Sequence, residues 1–195
     1  MRKLTTLILL CTSFFSLAQN DYYWVGGPGE WRDVAHWATD MAGSTFHASE
    51  PSASDTVYFG SFSGFQEGDT ILFNISGGKE IELASLDATG LDVGIYLYAA
   101  DSIQGESNIY DLIFSSSCYL SENIRLADDG SAFWSTIVFD LDGDERDVYF
   151  DQNGADLSIA EIIVQATTAP SGTFQLLDSI VCDRFIIDGG DIRLN

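Results

Sequence analysis

The chain has 195 residues, of which 30 are acidic and 8 are basic, so its formal net charge is -22. Hydrophobic residues make up 46% of the sequence, which excludes a disordered acidic tail and allows one domain of ordinary size. The charge argues against nucleic acid or an anionic membrane as a partner, because carboxylates repel phosphates. Eighteen glycines and 13% aromatic residues favour strands joined by turns over a helical bundle.

Residues 1–18 have the pattern of a secretory signal peptide. Arg2 and Lys3 precede an apolar run over residues 4–17, and small residues precede an expected cleavage after Ala18. Cleavage removes two basic residues and no acidic one, which leaves a net charge of -24. No later segment has 18 consecutive apolar residues. We therefore expect a secreted or outer-surface protein without a membrane span in its mature chain.

Residues 19–68 are predicted to form an irregular, aromatic-rich N-terminal cap, in which residues 33–41 supply a helical turn. The glycine-rich element at residues 26–29 lacks the lysine and hydroxyl residue of a phosphate-binding loop. A tight turn that packs Trp24 and Trp31 against the first coil is the favoured interpretation. The alternative is a carbohydrate-binding site, in which exposed rings of Trp24, Trp31 and Trp37 stack on a sugar.

Residues 69–195 contain a repeat of about 25 residues. Five apolar anchors are separated by 26, 25, 25 and 23 residues, at Leu86, Leu112, Ile137, Ile162 and Phe185. A second series lies at Phe73, Tyr96, Tyr119, Tyr149 and Phe174, and its last four members are predicted to stack as a column of aromatic rings. Such self-similarity predicts an all-β, right-handed parallel β-helix of about five coils. The alternative is an antiparallel sandwich, which does not explain a regular period.

The strand pattern continues to residue 194 with no capping segment after it. We therefore expect the repeat to belong to a longer protein. An open last coil would allow the isolated chain to self-associate through its C-terminal end, because an unpaired strand edge recruits other chains.

The mature chain offers few residues for metal binding or disulfide formation. Cys118 and Cys182 are interpreted as separate buried thiols, although export permits a disulfide. Asp140, Asp142 and Asp144 alternate in a glycine-containing segment, which predicts weak calcium binding at most, and a solvated turn is the alternative. No other cofactor is expected.

Residue types that support catalysis are also sparse. His36 and His47 both belong to the cap region, which argues against a Ser-His-Asp triad. The repeat predicts that Asp111, Glu161 and Arg184 align on one surface, with an ion pair between the last two. We therefore expect no enzymatic activity, and a polysaccharide lyase or hydrolase on a β-helix is the alternative.

Two short patterns lie near the start of the mature chain: W-x-G-G-x-G-x-W at residues 24–31 and P-x-x-x-D-x-V-x-F at residues 51–59. They resemble the N-terminal region of large, adhesin-like surface proteins of gliding bacteria. Gly60 stands where that family usually has an acidic residue. These proteins have long β-helical stalks and often a type IX secretion sorting domain, which the 195 residues do not contain. The resemblance implies a non-catalytic surface module with an unidentified glycan or protein ligand.

Overall fold

A computed structural model of the chain describes residues 19–74, 80–100, 108–128, 132–141, 148–166 and 173–188. These ranges contain sixteen strands and two single-turn 3-10 helices, Val34–His36 and Ser61–Ser63. The all-β prediction is confirmed, and the first helix lies in the segment predicted to form a helical turn. Neither helix in the described ranges is long or apolar enough for a membrane span.

Short strands follow one another along the chain, and glycine or polar residues lie in many of the turns. In chain order the strands are β1 (Asp21–Trp24), β2 (Gly29–Glu30), β3 (Trp37–Ala38), β4 (Thr56–Gly60), β5 (Asp69–Phe73), β6 (Glu80–Leu83), β7 (Ser85–Gly90), β8 (Ile95–Ala99), β9 (Asn108–Phe114), β10 (Cys118–Tyr119), β11 (Ile124–Asp128), β12 (Ala132–Asp140), β13 (Val148–Asp151), β14 (Leu157–Gln165), β15 (Phe174–Leu176) and β16 (Cys182–Asp188).

The strands form three sheets that the chain visits in turn. Sheet A has the order β15-β13-β10-β7-β4-β1-β3, sheet B has the order β11-β8-β5-β2, and sheet C has the order β16-β14-β12-β9-β6. Among the sixteen described strands, all pairings are parallel except that between β1 and β3. The result is a parallel β-solenoid of about four turns, where the sequence predicted about five.

The interior of sheet C contains the predicted ladder, with one error. Leu112, Ile137, Ile162 and Phe185 are successive partners, as the 25-residue spacing predicted. The ladder begins at Ile81, not at Leu86. Leu86 belongs to sheet A, because Ala84 alone separates β6 from β7 and the chain changes sheets at that point.

The predicted aromatic column is wrong. Tyr96 lies in sheet B, whereas Tyr119 and Tyr149 lie in sheet A, and Phe174 is opposite Val148. Strands of both sheets place an aromatic residue beside apolar ones, so sequence spacing alone mixed two faces of the solenoid. Phenylalanine rings meet inside the later coils instead. Phe139 lies 5.0 Å from both Phe150 and Phe174, measured between ring centroids.

The solenoid starts earlier in the chain than the predicted boundary at residue 69. Strands β1, β2 and β4 already pair in parallel with later strands, so residues 19–68 contribute to sheets A and B. The part with cap character is the segment between β2 and β4, in which β3 turns back antiparallel to β1. Buried apolar residues of all three sheets continue from this segment through the interior as one cluster.

Candidate functional site

The three tryptophans predicted as a sugar-binding platform are buried. Trp24 and Trp37 have no exposed surface, and Trp31 is 4% exposed. Their rings meet edge to face, with the Trp37 centroid 4.8 Å from that of Trp24 and 4.7 Å from that of Trp31. Trp24 Nε1 donates to the Gly27 carbonyl and Trp37 Nε1 donates to the Trp31 carbonyl, both at 2.7 Å. The prediction of a sugar-binding platform is therefore wrong: the rings are buried in the chain, and backbone carbonyls accept the hydrogen bonds of the Trp24 and Trp37 indoles.

The glycines of this element are explained by packing. Gly26 and Gly27 have φ angles of 91° and 81°, a backbone conformation that residues other than glycine rarely adopt. A Cβ atom on Gly29 would lie 2.2 Å from Nε2 of His36, and the His36 ring stacks on Trp24 at 4.6 Å. The interpretation of this element as a turn that packs the tryptophans is confirmed.

Asp55, in the P-x-x-x-D-x-V-x-F pattern, links Asn20 before β1 to the turn before β4. It is 3% exposed, and its carboxylate accepts hydrogen bonds from Asn20 and Ser52 through both backbone and side-chain donors. Burial raises the pKa of Asp55, but these hydrogen bonds outweigh burial and hold the pKa below its usual value. The role of Asp55 is structural.

The predicted calcium ligands fall mostly outside the described residues. Asp142 and Asp144 lie there, and Asp140 is the last residue of β12. Within the described part of the chain, no three histidine, cysteine, aspartate or glutamate side chains converge as metal ligands would. Weak calcium binding therefore stays a prediction.

The outer surface of sheet C carries the predicted polar row. Asp111, Thr136, Glu161 and Arg184 follow one another, and Glu80 precedes them. Arg184 Nη2 lies 2.7 Å from Glu161 Oε2, so the predicted ion pair is confirmed. Thr136 Oγ1 donates to Asp111 at 2.6 Å and separates the two carboxylates along the row. Both carboxylates thus have partners in a surface ladder.

The described cysteines and histidines form no nucleophile–base pair. Both cysteines are free, Cys118 buried and Cys182 partly buried, so the interpretation as separate thiols is confirmed for Cys118 and holds in part for Cys182. Burial raises the pKa of Cys118, which keeps it a neutral thiol. His36 Nδ1 donates to the Val25 carbonyl at 2.7 Å, and His47 Nε2 donates to the Asp21 carbonyl at 3.0 Å.

Several tyrosines are partly exposed on the sheets, and Phe46 is 50% exposed in the segment before β4. On sheet B, Tyr98 lies between Leu72 and Ala127, and a shallow cleft of about 500 Å³ opens beside it. The cleft, called here the tyrosine cleft, is lined by Pro28, Gly29, Glu30, Thr70, Leu72 and Tyr98. It combines an aromatic ring, a carboxylate and a hydroxyl. Strand alternation in IYLYA could have indicated that Tyr98 faces outward.

A second set of tyrosines follows the outside of sheet A. Tyr23, Tyr58, Asp87, Tyr119 and Asp151 are successive partners in five strands, and the rings of Tyr23 and Tyr58 stack at 4.9 Å. Burial, together with the negative charge of Asp21, raises the pKa of Tyr58 to about 12. Burial raises the pKa of Tyr23 as well, so the phenols of Tyr23 and Tyr58 stay protonated and do not act as bases.

Comparison with protein-family models, with curated proteins and with solved structures found no match to this chain.

Proposed function

We propose that the protein is a non-catalytic, secreted or cell-surface module of adhesin-like or structural type. One observation carries this proposal: the outer face of sheet C bears a ladder row that runs from coil to coil, in which charged and hydroxyl groups pair with one another. Rows of this kind suit a rod that spaces or presents a ligand-binding surface. The signal-peptide pattern and the family resemblance also support export to the cell surface.

Expression of the full chain in a bacterial host tests the export half of the proposal. We expect the protein outside the cytoplasm, with Gln19 at its N-terminus by mass spectrometry. A cytoplasmic protein that retains residues 1–18 would overturn it. A matched control replaces Leu9 by Arg within the apolar run, which should block export and leave the mature sequence unchanged.

Binding of a surface glycan is the second candidate function, and the tyrosine cleft favours it. A ring such as that of Tyr98 offers an apolar face to a sugar, while Glu30 and Thr70 offer hydrogen-bonding groups at the same cleft. A glycan array tests this function with Tyr98→Ala and the control Tyr149→Ala, which removes an outward tyrosine from sheet A. Loss of a signal in the first variant alone supports the cleft, and no signal with the parent protein rejects it.

A further inference from the structure

Two strands, β6 and β16, form the edges of sheet C in the described structure. Strand β6 is the edge nearer the N-terminus, and among the described strands it pairs with β9 alone. An exposed edge of this kind presents backbone donors and acceptors that can pair with another chain.

The direction of the backbone groups of β6 follows from its hydrogen bonds. The Leu83 carbonyl accepts a bond from Ser115 N at 3.1 Å, so Leu83 and Ile81 direct their backbone groups toward β9. Glu80 and Glu82 therefore direct theirs to the opposite side. Ala84, whose backbone groups point the same way as those of Glu80 and Glu82, donates from its N–H to the Asp55 carbonyl at 2.9 Å. This bond closes one end of the edge. Among the described residues, none bonds the backbone of Glu82 on that side.

A groove of about 430 Å³ runs beside this edge. Its opposite wall is the segment at residues 49–53, and Trp31 and Ile81 supply apolar surface next to Arg32. The side chains of Glu80 and Glu82 are exposed on the outer side of β6. Glu50 lies at the rim with Arg32, 3.8 Å apart. The groove thus joins three carboxylates to one guanidinium and carries a net negative charge.

We propose that this groove binds an extended segment of a partner protein that adds to β6 as a strand. Backbone bonds to Glu80 and Glu82 would supply affinity, and alternate side chains would supply specificity. Because opposed residues in paired strands lie about 5 Å apart, lysine or arginine belongs opposite Glu80 and Glu82. The intervening residues face Ile81 and Trp31 and are apolar. The net charge of -22 would speed the approach of a basic segment.

This inference is independent of glycan binding, because the groove and the tyrosine cleft share no lining residue. Either function can fail without affecting the other.

Fluorescence anisotropy with a labelled peptide, Lys-Val-Lys-Val-Lys, tests the proposal on the purified protein. Two isomers with the same charge carry two backbone N-methyl groups each, either on both valines or on the second and third lysines. In a paired strand only one set of amides faces β6, so we expect one isomer to bind at least tenfold more weakly and the other within about threefold of the parent. Equal binding of all three peptides would show charge attraction alone and would overturn strand addition.

Matched protein variants locate the site. Glu82→Gln should raise the Kd of the parent peptide about fivefold. The control Glu122→Gln removes the same charge from an exposed turn in a later coil and should leave the Kd unchanged. Equal effects of the two variants would contradict the site. Absence of peptide binding would mean that the edge is already covered. Dimerisation that Glu82→Gln abolishes would assign the groove to a second copy, and either result would overturn the proposal.

Discussion

Substitution of Ile162 by aspartate tests the interior ladder of sheet C. Ile162 has no exposed surface and lies between Ile137 and Phe185 in successive coils. Its neighbour Ile163 has the same side chain, but alternation along β14 turns it to the outer face, where it is only partly buried. Ile163→Asp is therefore a matched control, one residue away on the same strand.

The expected cost can be estimated from burial. Truncating a buried isoleucine costs about 2–5 kcal/mol, and an unpaired polar group in the same space adds about 1–3 kcal/mol. Together these terms predict that Ile162→Asp lowers the free energy of unfolding by about 3–8 kcal/mol, whereas Ile163→Asp lowers it by about 1 kcal/mol. With an m-value of about 2 kcal/mol per M, the urea midpoint would fall by at least about 1.5 M in the first variant.

Urea unfolding followed by tryptophan fluorescence measures this difference, because all four tryptophans are buried. The pH dependence adds a second test. Burial raises the folded-state pKa of the introduced carboxyl above its unfolded value, so the ionic part of the penalty vanishes below about pH 4 and grows as pH rises. Equal midpoints for the two variants at pH 7 would refute the assignment of Ile162 to the interior.

Three further predictions concern the N-terminal segment and the last described strands. Asp55→Asn should lower the free energy of unfolding by about 1–3 kcal/mol at pH 7. Because the folded-state pKa of Asp55 is lowered, its stabilising contribution is present above about pH 4 and is lost as the pH falls further. Parallel curves of stability against pH for the parent and the variant would contradict this. Gly29→Ala should lower the free energy of unfolding by about 1–3 kcal/mol, measured by thermal unfolding, because the new methyl group clashes with His36. The double variant with His36→Ala should recover part of that loss, and additive losses would argue against the contact. Val181 is 59% exposed beside β16, so Val181→Lys should reduce self-association in light scattering at physiological salt, and a parent protein that is monomeric at all concentrations would contradict this.

The sequence predicted the part of the fold that depends on regular spacing. Leu112, Ile137 and Ile162 are separated by constant intervals, so their ladder could be identified from the repeat alone. The preceding interval in the same ladder, from Ile81 to Leu112, is 31 residues. This longer coil moved the apparent repeat onto Leu86, which has a similar local pattern but lies in another sheet.

The surface chemistry was harder to predict, because it depends on partners distant in sequence or on local geometry. Burial of Trp24 and Trp37 requires carbonyl acceptors for their indole N–H groups, and those acceptors come from a turn whose geometry the composition does not reveal. That β6 is an edge strand follows from the order in which strands pair in sheet C. The spacing of residues in the sequence does not reveal where a sheet ends.

Incubation of the purified protein with a panel of neutral and acidic polysaccharides tests the central claim most directly. Release of reducing ends and absorbance of unsaturated products would be followed at several protein concentrations, with and without millimolar calcium, to include the predicted site at Asp140, Asp142 and Asp144. The proposed non-catalytic surface module predicts no release above that of heat-denatured protein under any condition. Product formation that rises in proportion to protein concentration and is lost on denaturation would contradict it.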